Sequence, residues 1–379
     1  MSGAIQKRKF YIIGHNPNTI EDAKAFLLAG ANALEPDICV SHGAFFVSHD
    51  HTPSSNPFTT EHSLKTYLTD LRRFLISKGN KVNLALILWD FKDPGPNVSI
   101  NAFLQIVHDN FSKFPECADI AMGVTVGSKD NVAFLTKYNG AIDNVAIGID
   151  EEKLPGDVSS AFGGGNQKRY SYANGIILTG IKLGVFHSMM AAKAVQFADP
   201  GMKLIYTWVM ADKDAMRDLL DIRVDGMIVN LGTVAELKAL LLEKDFVPVY
   251  ELAQKGYNPW SAPPLPSYNA TIHTADENLA GTDARIRFDL TGTLGTLTRK
   301  LNSDYKDVLE QDAIDTITFD GLNIGTVTSL KITATTSDLN SNWLPDTISV
   351  TSNIDSNQAI FHYGPNDWVK KNVPMIKQA

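Results

Sequence analysis

From Phe10 to Asn230, short apolar runs alternate with amphipathic stretches, the pattern of repeated strand–helix units that build a parallel sheet. The runs expected as strands are FYIIG, NALEPDICV, LALILWDF, IAMGVTV, NVAIGID, GIILTG, KLIYTWVM and DGMIVN. Segments between them, such as TIEDAKAFLLAGA, have the helical period, with Glu21 and Asp22 in the first turn and Gly30 as a stop. Eight such units predict an α/β fold, a (β/α)8 TIM barrel closed near Leu241 to Phe246.

A barrel of about 250 residues leaves a remainder. KGYNPWSAPPLPSY is rich in Pro, Gly and Ser, as a linker is, and from Tyr268 short alternating runs (YNATIHT, ARIRFDLTG, DTITF, VTSLKITAT, DTISVTS, QAIFHY) predict an antiparallel β-sandwich. The expected division is a barrel over 1–250, a linker or plug over 251–266 and a sandwich over 267–379. A net charge of −8 argues against a nucleic-acid partner. Two cysteines, Cys39 and Cys117, cannot form a disulfide framework, and Cys39 is expected to pack as a small apolar group. No run is apolar for long enough to span a membrane, and no signal peptide is visible, so any action on lipid would come from the surface. A monomer is expected.

In a barrel, chemistry sits where strands end. Glu35 and Asp37 lie two apart in one run, so a strand points both carboxylates to one side. After a turn at Gly43 a second run delivers His49 back beside them if the two pair as a hairpin. Asp90 and Lys92 repeat the two-residue spacing, and His15 and Trp208 also fall at strand ends. Three carboxylates suit a hard divalent cation, Mg²⁺ before Ca²⁺ or Zn²⁺, and the lysine suits an anionic substrate such as a phosphodiester. The plainer alternatives are acids solvated on an edge strand, a loop histidine and a surface Lys–Asp pair.

These residues lie in GHNPNT, GANALEPDI, VSHDH, LWDFK, GIDEE, IYTWVMADKD and VDGMIVN, and in that order they resemble the glycerophosphodiester phosphodiesterase-like superfamily. Within it the chain resembles the sphingomyelinase D or phospholipase D toxin group of spider venoms and actinobacteria. His15-Asn16, Asp90-Phe91-Lys92 and the short spacing between His49 and Asp90 favour that group over ordinary glycerophosphodiesterases. The resemblance implies that His15 and His49 are an acid–base pair, that Glu35, Asp37 and Asp90 hold one Mg²⁺, and that Lys92, Tyr206 and Trp208 line the substrate site. Lys92 is also expected to act in catalysis. Asn258-Pro259-Trp260 resembles the tail that plugs the far end of the barrel. The loop HTPSSNPFTT lacks the cysteine often found in the group, and His51 is a competing imidazole.

Residues 267–379 resemble the PLAT or lipoxygenase-homology family through Tyr268, GTDARIRFDLTG, DAIDTITF, GTVTSLKI and Trp343. That implies docking to a lipid surface or a protein, with Ca²⁺ a candidate at Asp276, Asn278 and Asp283; Trp343 is expected in the core. The function implied is phospholipase D-type cleavage of sphingomyelin or a lysophospholipid at a membrane surface, with release of the headgroup alcohol and a cyclic phosphate, by a secreted or extracellular toxin. The alternatives are hydrolysis of small glycerophosphodiesters and a non-catalytic lipid-binding module.

Overall fold

The computed structural model describes the chain except residues 1–5, 50–62, 96, 139, 141, 151–153, 164–168, 176–181, 303–307, 336–341 and 356. Asp50, His51, the HTPSSNPFTT loop and the two glutamates of GIDEE therefore lie outside the described residues.

The first strand, β1 (Arg8–His15), is followed by α1 (Ile20–Ala29), which starts where the Thr19 side chain accepts from the Asp22 amide and stops at Gly30, φ 103°. The second run is not one strand: Pro36, which has no amide to donate, divides it into β2 (Ala33–Glu35) and β3 (Asp37–Ser41). β3 turns through His42 and Gly43, φ 50° and 77°, into β4 (Ala44–Val47), a tight hairpin whose two turn residues both sit in the left-handed region. After α2 (Leu64–Lys78) come β5 (Leu86–Phe91), α3 (Ile100–Val107), β6 (Ala121–Val126), α4 (Val132–Leu135) and β7 (Val145–Ile149). α5 (Pro155–Gly163), β8 (Tyr170–Gly175), α6 (Lys182–Ala198), β9 (Met202–Trp208), α7 (Lys213–Ile222), β10 (Gly226–Val229) and α8 (Val234–Leu241) complete the unit. β1 pairs with both β2 and β10, β2/β3 counts as one stave, and neighbouring staves are all parallel, so eight staves close as a TIM barrel. A short β11 (Tyr250–Leu252) adds to the outside of β1.

The sixth stave is YSYANG, 170–175, a run absent from the sequence expectation; of the expected GIILTG only Gly175 lies among the described residues. Tyr170 and Tyr172 point to the helices while Ser171 and Ala173 face the lumen, so polar and small residues hide a strand that an apolar run outshines. Gly175 has no alternative: a Cβ there would meet the Trp208 carbonyl oxygen at 1.5 Å.

The lumen has its own core. Ala33, Ala85, Ala121, Ala146 and Ala173 line it, and the space these small residues leave is taken by Trp260, 1% exposed, with Tyr11, Leu86 and Leu204 around it. The plug anticipated at Asn258-Pro259-Trp260 is thus seated at the end where the strands begin.

The sandwich holds β12 (Ser267–Thr274), β13 (Arg285–Gly292), β14 (Gly295–Asn302), β15 (Ile314–Asp320), β16 (Val327–Ala334), β17 (Pro345–Ser352), β18 (Gln358–His362) and β19 (Met375–Gln378). They form two antiparallel four-stranded sheets, ordered β15-β12-β17-β18 and β14-β13-β16-β19. β14 and β19 are not among the strands expected from the sequence; each lies at an edge of the second sheet. Trp343 is fully buried, edge-on to Phe288, with its indole donating to Thr274 Oγ1 at 3.1 Å.

β15 lies along α6. Asp320, at the end of β15, pairs with Lys193 at 3.1 Å and with Arg8, the first residue of β1. Asp315, at its start, interacts electrostatically with His187, nearer the start of α6. Because α6 starts at the barrel mouth, the Thr274/Ile314 end of the sandwich points the same way as the mouth. Leu279 (70%), Ile314 (70%) and Val373 (56%) are exposed at that end, and Leu154 and Leu231 are exposed where β7 and β10 run out.

Candidate active site at the barrel mouth

The strand register assembles the site. His15 lies opposite Glu35 between β1 and β2, and Asp37 lies opposite Asp90 between β3 and β5. One carboxylate oxygen from each of Glu35, Asp37 and Asp90 falls within 4.8 Å of the others, and all three residues are buried. Burial, then repulsion from Asp37 and Asp90, pushes the Glu35 carboxyl well above the usual range, and burial likewise raises Asp90 against the pull of Lys92. Burial would lower the Lys92 ammonium, but Asp90 and Asp37 outweigh it and hold it charged; its Nζ is 3.0 Å from Asp37 Oδ1 and bonded to Asp90 Oδ2.

This donor set fits a divalent cation. Three buried carboxylates face one lysine, and Asp90 Oδ1 is buried with no hydrogen-bond donor. Oxygen-only donors favour Mg²⁺ over zinc. In the sandwich, Asp276 accepts from Gln311 Nε2 at 2.9 Å and Asn278 is exposed. Among the described residues, neither Asp276 nor Asp283 joins a group of three His, Cys or acidic side chains close enough to share an ion.

His15 is half-buried, and its Nδ1 lies 3.1 Å from Asn230 Oδ1, an oxygen that can only accept from it. Burial lowers its basicity, with Lys92 and His49 acting in the same sense against Asn230 and Asp37. The Ser48 amide bonds to the Asp37 carbonyl at 3.0 Å, which places the exposed His49 at the rim close enough to interact electrostatically with His15. The structure therefore brings His15, Glu35, Asp37, His49, Asp90 and Lys92 to one mouth.

Tyr206 and Trp208 sit differently from each other. Trp208 is half-buried at the end of β9 and donates Nε1 to the Asp150 carbonyl at 2.6 Å. Tyr206 is fully buried beneath the mouth, and its phenol donates to Asp150 Oδ1 at 2.5 Å. Burial and the Asp90 charge push the Asp150 carboxyl up to about 8.

Four positioning residues carried no separate role in the sequence reading. Asn18 and Asn230 orient Asp37 and His15, the Asn16 amide donates to Glu35 Oε2 at 3.2 Å, and Asp150 organises β9. Their signal was position: each falls just past a strand end inside a motif already singled out.

A dermonecrotic toxin SPH family model matches residues 5–144, a span that contains both histidines, all three acids and the lysine, and a PLAT/LH2 domain model matches 268–376. The chain is thus similar to the dermonecrotic toxin SPH family over residues 5–144 and to the PLAT/LH2 family over residues 268–376. A dermonecrotic toxin of Loxosceles laeta, LlSicTox-alphaIV1i, is 25% identical over 282 residues, 66% of this chain and 99% of the toxin. Hl-PLD1, a dermonecrotic toxin of Hemiscorpius lepturus, is 24% identical over 303 residues, 70% of this chain and 87% of its own. A protein described as a glycerophosphoryl diester phosphodiesterase from Silicibacter pomeroyi aligns with 65% of this chain and 98% of its own, at 15% identity and a TM-score of 0.43. A coral 8R-lipoxygenase aligns with 30% of this chain, at 23% identity and a TM-score of 0.27, and the chain spans only 16% of that enzyme's length. The strand pairing of the SPH barrel and the PLAT sandwich, more than these overlays, defines the fold.

Proposed function

We propose that the SPH barrel is a Mg²⁺-dependent phospholipase D-type enzyme that cleaves sphingomyelin or a lysophospholipid by attack of the lipid's own hydroxyl. The observation that carries this reading is the meeting of Glu35, Asp37 and Asp90 with Lys92 and two histidines at one barrel mouth. Glu35, Asp37 and Asp90 would hold the cation, which supplies charge neutralisation for the phosphodiester. Lys92 adds a second positive charge beside them.

His15 is suited to be the base: its Nδ1 bonds to Asn230, and burial lowers its basicity, which favours the neutral imidazole. It takes the proton of the lipid hydroxyl as that oxygen bonds to phosphorus. The bond from phosphorus to the headgroup oxygen breaks, and His49 gives that oxygen its proton. The products are a cyclic phosphate and the free headgroup alcohol, which is choline when the lipid is sphingomyelin. Each transfer is worth about 10²- to 10⁴-fold. Trp208, half-buried at the rim, is placed to meet the headgroup, and Tyr206 acts from below through Asp150.

The substrate is met at a membrane surface. The exposed apolar side chains at the mouth end of the PLAT sandwich support this, as does their alignment with Leu154 and Leu231 on the barrel. No helix among the described residues is long and apolar enough to cross a membrane. The toxin relatives support a secreted, extracellular site of action.

Choline release from sphingomyelin vesicles tests the reading. Mg²⁺ is expected to restore activity to chelated protein, and His15→Ala or His49→Ala to abolish it with the fold retained. Full turnover by either histidine variant would remove that residue from the mechanism.

A further inference from the structure

The joint between barrel and sandwich holds a cavity of about 300 Å³ at the end of the molecule away from the mouth, where α7 stops and β14 begins. Arg223, Lys244, Asp245, Arg287, Thr298 and Lys300 are among the residues lining it. Lys300 pairs with Asp245 at 2.7 Å and Arg287 with Asp289 at 2.9 Å. Arg223 has no such match. It is 7% exposed, its Nε and Nη1 have no hydrogen-bond partner, and its one bond is a long one, Nη2 to the Thr298 carbonyl at 3.5 Å.

Asp221 and Asp320 also line the cavity and attract Arg223 electrostatically, but neither is bonded to it. Asp320 is shared by Arg8 and Lys193, and Asp225 pairs with Arg8; no carboxylate forms an ion pair with Arg223 among the described residues. Arg223 caps α7 through its backbone amide, but its side chain takes no part, because Arg299 of the sandwich already donates to the Asp221 carbonyl and, at 2.6 Å, to that of Ile222. Two guanidiniums thus stand together in a buried place, and burial, then Arg223, pulls Arg299 down to about 9. The backbone adds an independent sign. Arg223 ends α7 at φ 75°, a conformation for which glycine is the usual choice, so an arginine is kept there against local strain.

We propose that this cleft binds a phosphate-type oxyanion, with the Arg223 fork as its central ligand and the Lys244 and Lys300 ammonium groups around it. A planar fork with two open N–H donors matches two oxygens of a tetrahedral anion, and flanking ammonium groups supply charge without geometric demand. Arg223 and Lys244 belong to the barrel side and Arg287 and Lys300 to the sandwich, so the bound anion would bridge the two.

The test uses the full chain, stripped of metal so that the mouth does not compete, and compares it with Arg223→Gly. Glycine suits that backbone, so the variant is expected to fold and to keep its basal choline release when Mg²⁺ is returned. Calorimetric titration with inorganic phosphate reads the soluble source; flotation with phosphatidylcholine vesicles, with and without phosphatidic acid, reads the lipid source. Saturable phosphate binding weakened about tenfold or more by Arg223→Gly assigns the site to a free anion. Loss confined to phosphatidic acid vesicles assigns it to a phosphomonoester headgroup. Binding unchanged by the substitution in both assays, or no binding in either, overturns the proposal.

Discussion

Asn18 and Asp37 hold each other by two reciprocal hydrogen bonds: Asn18 Nδ2 donates to Asp37 Oδ2 at 2.6 Å, and the Asp37 amide donates to Asn18 Oδ1 at 2.9 Å. One carboxylate oxygen is thereby fixed, and Oδ1 is turned towards Lys92 and the other acids. Orienting partners of metal ligands are worth about 10- to 100-fold in affinity. Asn18→Ala is therefore expected to raise the Mg²⁺ concentration needed for half-maximal activity by about that factor, with little change in the melting temperature. An unchanged Mg²⁺ requirement would show that Asp37 needs no such support.

The Tyr206–Asp150 pair makes a pH prediction. Asp150 ordinarily titrates near 3.8 but is pushed up to about 8, so between those values the folded chain binds the proton and the unfolded chain does not. Stability contributed by the neutral carboxyl is therefore lost as pH rises from about 4 to about 8. In metal-free protein, Asp150→Asn should match the wild type in acid and become the more stable of the two towards pH 8, by an amount on the order of a few kcal/mol. Parallel denaturation curves across that range would mean Asp150 is charged throughout.

Trp260 is fully buried in the space that the lumen's alanines leave, with Tyr11, Leu86 and Leu204 around it. Trp260→Ala is expected to cost about 3–5 kcal/mol in denaturant unfolding. Because the plug sits at the far end from His15 and His49, choline release by the folded fraction should be nearly unaffected. A lost turnover in fully folded variant would show that the two ends of the barrel are coupled.

The exposed apolar tips of the PLAT sandwich give a further prediction. Leu279 adopts φ 66°, a conformation aspartate tolerates better than leucine, and it is 70% exposed, so Leu279→Asp should not disturb folding. Combined with Ile314→Asp it is expected to weaken vesicle co-sedimentation while leaving cleavage of a dispersed short-chain substrate unchanged. Equal loss on both substrates would place the effect on the barrel instead.

Much of this was legible in the sequence because barrel architecture converts linear order into place. Any residue at the end of a parallel run reaches the mouth, so His15, Glu35, Asp37, Asp90 and Lys92 could be grouped without knowing a single distance. The sixth stave was missed because its lumen-facing positions are Ser171 and Ala173, which a hydrophobicity pattern passes over. The division at Pro36 was missed because neither acid is moved by it. Tyr206 could be placed on its strand, but only packing shows that it is sealed beneath the mouth and bonded to Asp150. The Arg8–Asp225–Asp320–Lys193 network joining barrel and sandwich links residues far apart in sequence, and no local spacing signals it.

The most direct test of the central claim is to incubate the protein and Mg²⁺ separately with sphingomyelin and with lysophosphatidylcholine and follow phosphorus by ³¹P NMR. Intramolecular attack predicts a cyclic phosphate signal rising together with free choline. A linear phosphomonoester from the first time point, or turnover of glycerophosphocholine with neither lipid consumed, would contradict it.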